Sequence, residues 1–142
     1  EMIKTPELLD VSVLSLMWVN VNPDEADPKW LLAGGSDKRV RVLKENKREN
    51  GMLATLEMVG LLDAQQGAIL ALAHNSTYLA TASDDCTIAL WLLSDLADIS
   101  AHEPQSLLSG HSGGVTCLAF SPDGGQLLSG GKDKVSSVNE QS

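Results

Sequence analysis

Leu79-Ala80-Thr81-Ala82-Ser83-Asp84-Asp85-Cys86-Thr87-Ile88-Ala89-Leu90-Trp91 is an apolar run broken only in its middle by a short polar turn. The pattern stands upstream as Leu31-Leu32-Ala33-Gly34-Gly35-Ser36-Asp37-Lys38-Arg39-Val40-Arg41-Val42-Leu43. Downstream it returns as Leu127-Leu128-Ser129-Gly130-Gly131-Lys132-Asp133-Lys134-Val135-Ser136-Ser137-Val138-Asn139. The turn aspartates Asp37, Asp85 and Asp133 follow one another at intervals of 48 residues. Self-similarity at a fixed spacing of this size marks a repeat architecture, in which each unit buries its faces against its neighbours. No catalytic centre stands out in these repeats.

Working outward, each repeat divides into short strand-like runs. In the first, a Val- and Leu-rich run through Val13, Leu16 and Trp18 is followed by the polar loop Asn20 to Lys29. Trp30 to Gly35 and Arg39 to Leu43 then flank the turn, and Met52 to Met58 makes a fourth strand beyond a charged loop. The second repeat gives Ile69 to Ala73, Tyr78 to Ser83 and Thr87 to Leu93. A largely polar loop from Ser94 to Pro104 leads to its short fourth strand, Gln105 to Ser109. The third gives Val115 to Phe120, the turn Ser121-Pro122-Asp123-Gly124, Gln126 to Gly130, and a feeble last strand, Val135 to Val138. Leu53, Leu56, Gly60 and Leu61 also have near-helical spacing, which leaves a helix over Leu53 to Leu62 open; their place in the repeat argues for strand. Runs such as Ile69 to Ala73 and Ile88 to Leu93 are apolar at almost every position, which fits sheets covered on both faces. Repeating four-stranded sheets that cover one another are the blades of a propeller.

Bulk properties narrow the function. The 142 residues have enough apolar content (43%) for one core, and the net charge of −9 disfavours general attraction to nucleic acid or anionic membranes. Cys86 and Cys117 lie in apolar strand-like contexts and read as buried free thiols of a reducing compartment. The apolar stretch Val11 to Val21 follows Asp10, lacks a basic leader, and is too short to span a bilayer. The sequence opens Glu1-Met2-Ile3-Lys4, which reads as a piece of a longer chain. The sequon Asn75-Ser76-Thr77 matters only in a secreted protein.

Gly110-His111, then Val115 to Gly124, then Leu127 to Asp133, resemble a WD40 repeat, and Ala80 to Trp91 resembles another. The resemblance covers about residues 11 to 139 and implies an all-β fold, a partial WD40-type β-propeller of about three four-stranded antiparallel blades. On that basis 1–10 is a leading strand or linker, 11–62 a degenerate first repeat, 63–110 the second and 111–142 an incomplete third. In this family a blade is braced by His before the first strand, Ser or Thr ending the second, Asp in the turn and Trp in the third. The resemblance assigns those places to Ser83, Asp85 and Trp91 in the second blade, with Gln65 where the family has His. The third blade has His111 and Asp133, with Gly131 for the Ser and Asn139 for the Trp. The first keeps only Asp37, with Leu9, Gly35 and Leu43 at the other places.

Two patterns invite a chemical reading. Gly110-His111-Ser112-Gly113-Gly114 matches the nucleophile elbow G-x-S-x-G, which needs a strand before it and a helix after it. Here a strand-like segment follows, and no His lies downstream to complete the usual order, so a serine hydrolase is a remote alternative. Ser83 with Asp85, and His111 with Asp133, also imitate parts of a triad, but their repeat-locked places point to bracing. His74 and His102 fall in loops, and the three His and two Cys lack short ligand spacing, so no metal or cofactor is expected. The second pattern is basic. Lys38, Arg39, Arg41, Lys44, Lys47 and Arg48 crowd one turn, strand and loop of an acidic chain, with Arg39 and Arg41 on one strand face. They form a candidate patch for RNA or for an acidic or phosphorylated peptide. The alternative is a solvated blade edge, and no aromatic is interleaved for base stacking.

The expectation is a non-catalytic WD40 scaffold for protein–protein interaction, cytoplasmic or nuclear. Three blades do not close a ring, so the remaining blades come from a longer chain or from self-association.

Overall fold

The computed structural model describes residues 11–19, 30–46, 55–97 and 103–138. Three antiparallel sheets follow one another along the chain. Blade 1 contains β1 (Val13–Val19), β2 (Trp30–Gly35), β3 (Val40–Asn46) and β4 (Thr55–Leu62), in that order across the sheet. Blade 2 contains β5 (Ile69–His74), β6 (Tyr78–Ser83), β7 (Ile88–Leu92) and β8 (Ser106–Leu108). Blade 3 contains β9 (Val115–Phe120), β10 (Leu127–Gly131) and β11 (Lys134–Val138).

Alternation explains why the middle strands are apolar on both sides. Along β6, Leu79, Thr81 and Ser83 project to one face, and Ala80 and Ala82 to the other, and all five are buried. Leu79 joins Trp91, Ile69, Leu93 and Leu96 against Val19, Leu32, Val40, Val42 and Leu62 of blade 1. Ala80 and Ala82, with Ile88 and Leu90, pack on Val115 and Leu127 of blade 3. The first strands β1, β5 and β9 lie side by side at the inner margin. Each carries an irregularity in its pairing with the second strand, at Val13/Ser15, Ile69/Ala71 and Gly130/Gly131. A bulge at one place in every repeat bends the strand and increases its twist, which suits blades fanned around an axis.

The structure moves some sequence-based boundaries. β4 runs to Leu62, and the helical option over that segment is replaced by strand. Its apolar residues lose strict alternation because the register slips between Val42 and Leu43, opposite Gly60 and Met58. Leu93, read as the end of a strand, and the start of the loop Ser94 to Pro104 form a 3-10 turn, Leu93–Ala97, whose Leu93 and Leu96 are buried against blade 1. Cys86 and Cys117 are both free, but neither is buried as expected: Cys86 is half-buried and Cys117 exposed. On the face of blade 1 that has no neighbouring blade, Leu14, Leu16 and Trp18 are exposed, Leu16 to 62%.

Candidate functional site

The polar residues singled out by the repeat meet inside the blades, in a different network for each. In blade 2 the indole Nε1–H of Trp91 donates to Thr81 Oγ1 at 3.2 Å, and Thr81 Oγ1 donates to Gln65 Oε1 at 2.6 Å. The Gln65 amide nitrogen donates to Thr81 O, Thr87 O and Thr87 Oγ1 at 3.0–3.1 Å. Asp85 then accepts from the Thr87 hydroxyl and from the backbone N–H groups of Thr87 and Gln66. Thr81 and Gln65 are buried, so the bonds between them and with Trp91 replace lost contacts with water. Burial pushes the Asp85 carboxyl up, but hydrogen bonds from Thr87, Gln66 and Ser83 together hold it below the ordinary carboxylate range.

Ser83 joins this set at the turn, not at the indole. Its hydroxyl accepts the Asp85 N–H at 3.1 Å and serves the turn; the hydroxyl on the indole is that of Thr81. Trp91 lies opposite Leu79 in the β6–β7 register, so Thr81 is its diagonal neighbour and Ser83 is one further pleat away. That step is about 7 Å, too far for an indole hydrogen bond.

Blade 3 shows the same displacement. His111 Nδ1 lies 2.8 Å from Asp133 Oδ1, and His111 Nε2 lies 2.7 Å from Ser129 Oγ. Ser129, 48 residues after Thr81, is therefore the hydroxyl of the set, and Gly131 does not stand in its place. A side chain at Gly131 would crowd Gly114 O at 2.6 Å and His111 Nδ1 at 3.1 Å. The bond from His111, with the Ser112 N–H at 2.7 Å, lowers the Asp133 carboxyl to about 2. Asn139 lies outside the described residues.

Ser129, His111 and Asp133 have the connectivity of a Ser-His-Asp triad, but Ser129 is only 3% exposed, so the hydroxyl is sealed from any substrate carbonyl. Ser112, the nucleophile of the elbow motif, turns its hydroxyl to Asp133 Oδ2 at 3.3 Å. Strand β9 follows where an elbow requires a helix.

Blade 1 has lost the set and replaced it. Ala33 and Leu43 take the places of Thr81 and Trp91 and pack with Leu56 in a small apolar cluster. Val11 stands beside the turn, its Cγ1 2.8 Å from where a side chain on Gly35 would begin. Leu9 itself lies outside the described residues. Asp37 is held instead by Arg41, whose Nη1 and Nη2 donate to Oδ1 and Oδ2 at 3.1 and 2.7 Å. Arg41 is 8% exposed, and its guanidinium is the first cause of the lowered Asp37 pKa. A charged-for-neutral exchange of this kind was not visible in the repeat alignment; the Asp37/Arg41 spacing was its only trace.

The basic patch accordingly loses Arg41. Arg39 remains exposed and pairs with Asp63 at 3.2 Å, Lys38 is exposed, and Lys44 is half-buried. Lys47 and Arg48 lie outside the described residues. Among the described residues no group of three His, Cys, Asp or Glu is placed to hold a metal ion.

Three four- or three-stranded meanders, fanned and braced at equivalent turns, form a propeller arc. The WD domain, G-beta repeat profile matches residues 56–91 and 102–136, half of the chain. The chain belongs to the WD-repeat family. Each match runs from the fourth strand of one blade to the third or last described strand of the next, so one WD repeat ties two blades together. This WD-repeat chain is 31% identical over 131 residues to Telomerase protein component 1 of Rattus norvegicus, covering 89% of the chain and 4% of that protein. It is 32% identical over 126 residues to Coronin-7 of Rattus norvegicus, covering 86% of the chain and 12% of that protein. Among solved structures, a chain in "Crystal Structure of Mitotic Checkpoint Complex" matches with a TM-score of 0.69 at 24% identity, over 94% of this chain and 36% of that one. That likeness is one of fold. The WD-repeat chain thus spans a small part of the length of its relatives.

Proposed function

We propose that the chain is a non-catalytic platform on which other proteins dock as part of a larger assembly. The observation that carries this reading is the use of the chemistry-bearing residues: Ser129, His111, Thr81 and Gln65 are buried and bonded to one another within the blades. What remains for function is the loops and margins. Telomerase protein component 1 is by name a component of an assembly, and 89% of this chain aligns with it. Further blades, from a longer chain or a second molecule, would cover Leu14, Leu16 and Trp18. A cytoplasmic or nuclear location is supported by the two free cysteines and by Asn75 of the sequon. The Asn75 side chain is engaged with Thr77 N, Tyr78 N and Gly124 O.

The test is purification of the full-length tagged protein with its partners. Specific proteins at fixed stoichiometry are expected, unchanged by Ser112→Ala, with no ester hydrolysis above buffer. A protein that purifies alone, or an esterase activity removed by Ser112→Ala, overturns the reading. Binding to RNA through Lys38, Arg39 and Lys44 is the competing view, and salt-dependent retardation of RNA in a gel would favour it.

A further inference from the structure

Antiparallel sheets put successive turns at opposite margins, so the braced turns occupy one margin of the arc and the first-to-second-strand turns the other. At that second margin residues 74–77 of blade 2 and 121–125 of blade 3 meet, and Asn75 Nδ2 ties them by donating to Gly124 O at 3.3 Å. A cavity of about 330 Å³ lies between them, and His74, Phe120, Pro122 and Asp123 are among its lining residues. This is the low end of the range for a bound small group, about 300–1,000 Å³.

Both walls are held by their own turns. Asn75 Oδ1 accepts the N–H groups of Thr77 and Tyr78 at 2.8 and 2.6 Å. Asp123 Oδ1 accepts the Ser121 hydroxyl at 2.6 Å and the Gly125 N–H at 3.0 Å, and Gly124 closes the turn at φ +75°. These bonds, that from Ser121 first, keep the Asp123 carboxyl below its ordinary pKa. The bonds from Ser121 and Gly125 both fall on Oδ1. Phe120 is half-buried, held from below by the apolar cluster shared with blade 2. Among the described residues no Lys or Arg lines the cavity, and the chain carries a net charge of −9.

A preset carboxylate beside an aromatic ring and a proline, in a notch too small for a large ligand, selects a cationic side chain. Arginine fits better than lysine, because its planar guanidinium can stack on a ring while its N–H groups reach a carboxylate. We propose that this cleft binds an arginine side chain presented by a partner protein, the guanidinium lying against Phe120 and donating to Asp123 Oδ2. The proposal rests on the platform reading and names the chemistry of one partner contact.

The probe is N-acetyl-arginine-N-methylamide, titrated into the 142-residue chain while the backbone amides of Gly124 and Gly125 are followed by NMR. Saturable shifts are expected for this probe and not for its neutral citrulline equivalent. Asp123→Asn keeps an oxygen for the two turn bonds and removes the charge, and should weaken probe binding at least tenfold. The unliganded Gly124 and Gly125 resonances report whether the turn survives that change; if they move, Phe120→Leu, expected to weaken binding several-fold, takes its place. Equal response to citrulline, no response to arginine, or binding unaffected by these variants overturns the proposal. Partners that still co-purify with the full-length protein would then leave the platform reading standing.

Discussion

Replacing Thr81 with Val keeps the shape of a fully buried side chain and removes one hydroxyl. That hydroxyl accepts from Trp91 Nε1 and donates to Gln65 Oε1, so the substitution leaves two buried polar groups without partners. Each orphaned group costs about 1–3 kcal/mol, and relaxation of the Gln65 side chain recovers part of it, so the loss is about 2–4 kcal/mol. Ser83→Ala removes the bonds its hydroxyl makes at the part-buried turn, with the Asp85 N–H and the Asp85 carboxyl, but strands no fully buried group, and should cost about 0.5–1.5 kcal/mol. Urea unfolding followed by fluorescence measures both, and for a chain of this length the Thr81 effect corresponds to a fall in melting temperature on the order of 10 °C. Trp91→Phe supplies the control, because it removes the orphaned N–H. Thr81→Val should cost about 1 kcal/mol less in a chain already carrying Trp91→Phe than in the wild type. A Ser83→Ala variant that loses as much stability as Thr81→Val, with no coupling between Thr81 and Trp91, would refute the assignment of Thr81 as the brace.

Acid should remove the contribution of the turn aspartates. The folded-state pKa of Asp133 is lowered to about 2 from an ordinary 3.8, so its stabilisation is complete above about pH 4 and fades as pH falls towards 2. Asp133→Asn should flatten that part of a stability profile taken from about pH 6 to pH 2, and a profile unchanged by the substitution would contradict the His111 pairing. Cys86 and Lys38 occupy left-handed backbone at φ 77° and 75°, so Cys86→Gly or Lys38→Gly should raise stability by about 0.5–1 kcal/mol in the same unfolding assay. Arg41→Met should cost about 1–3 kcal/mol by stranding Asp37, whereas Arg39→Met, in a half-exposed pair, should stay within about 1 kcal/mol. Equal effects of the two arginine substitutions would mean that Arg41 is no more than a surface charge.

The 48-residue recurrence of Asp37, Asp85 and Asp133 was enough to establish a repeat, and the apolar runs beside each turn were enough to establish sheets covered on both faces. Trp91 as a buried third-strand residue and His111 as a partner of Asp133 were likewise legible, since each sits at a fixed offset from its turn. The partners of the hydroxyls were not. Thr81 and Ser83 share a face of β6 and look equivalent by alternation, and only the register of β6 against β7 puts the first beneath the indole. Arg41 has the sequence of a surface cation on an alternating strand, and became a buried brace because blade 1 has no other side-chain donor for Asp37 among the described residues. The cleft beside Asp123 depends on two turns 49 residues apart meeting through Asn75 and Gly124. Local pattern specifies which face a side chain occupies and how often the unit recurs. Which groups meet across strands and between blades is decided by register, bulges and packing, and these come into being only when the sheets fold against one another.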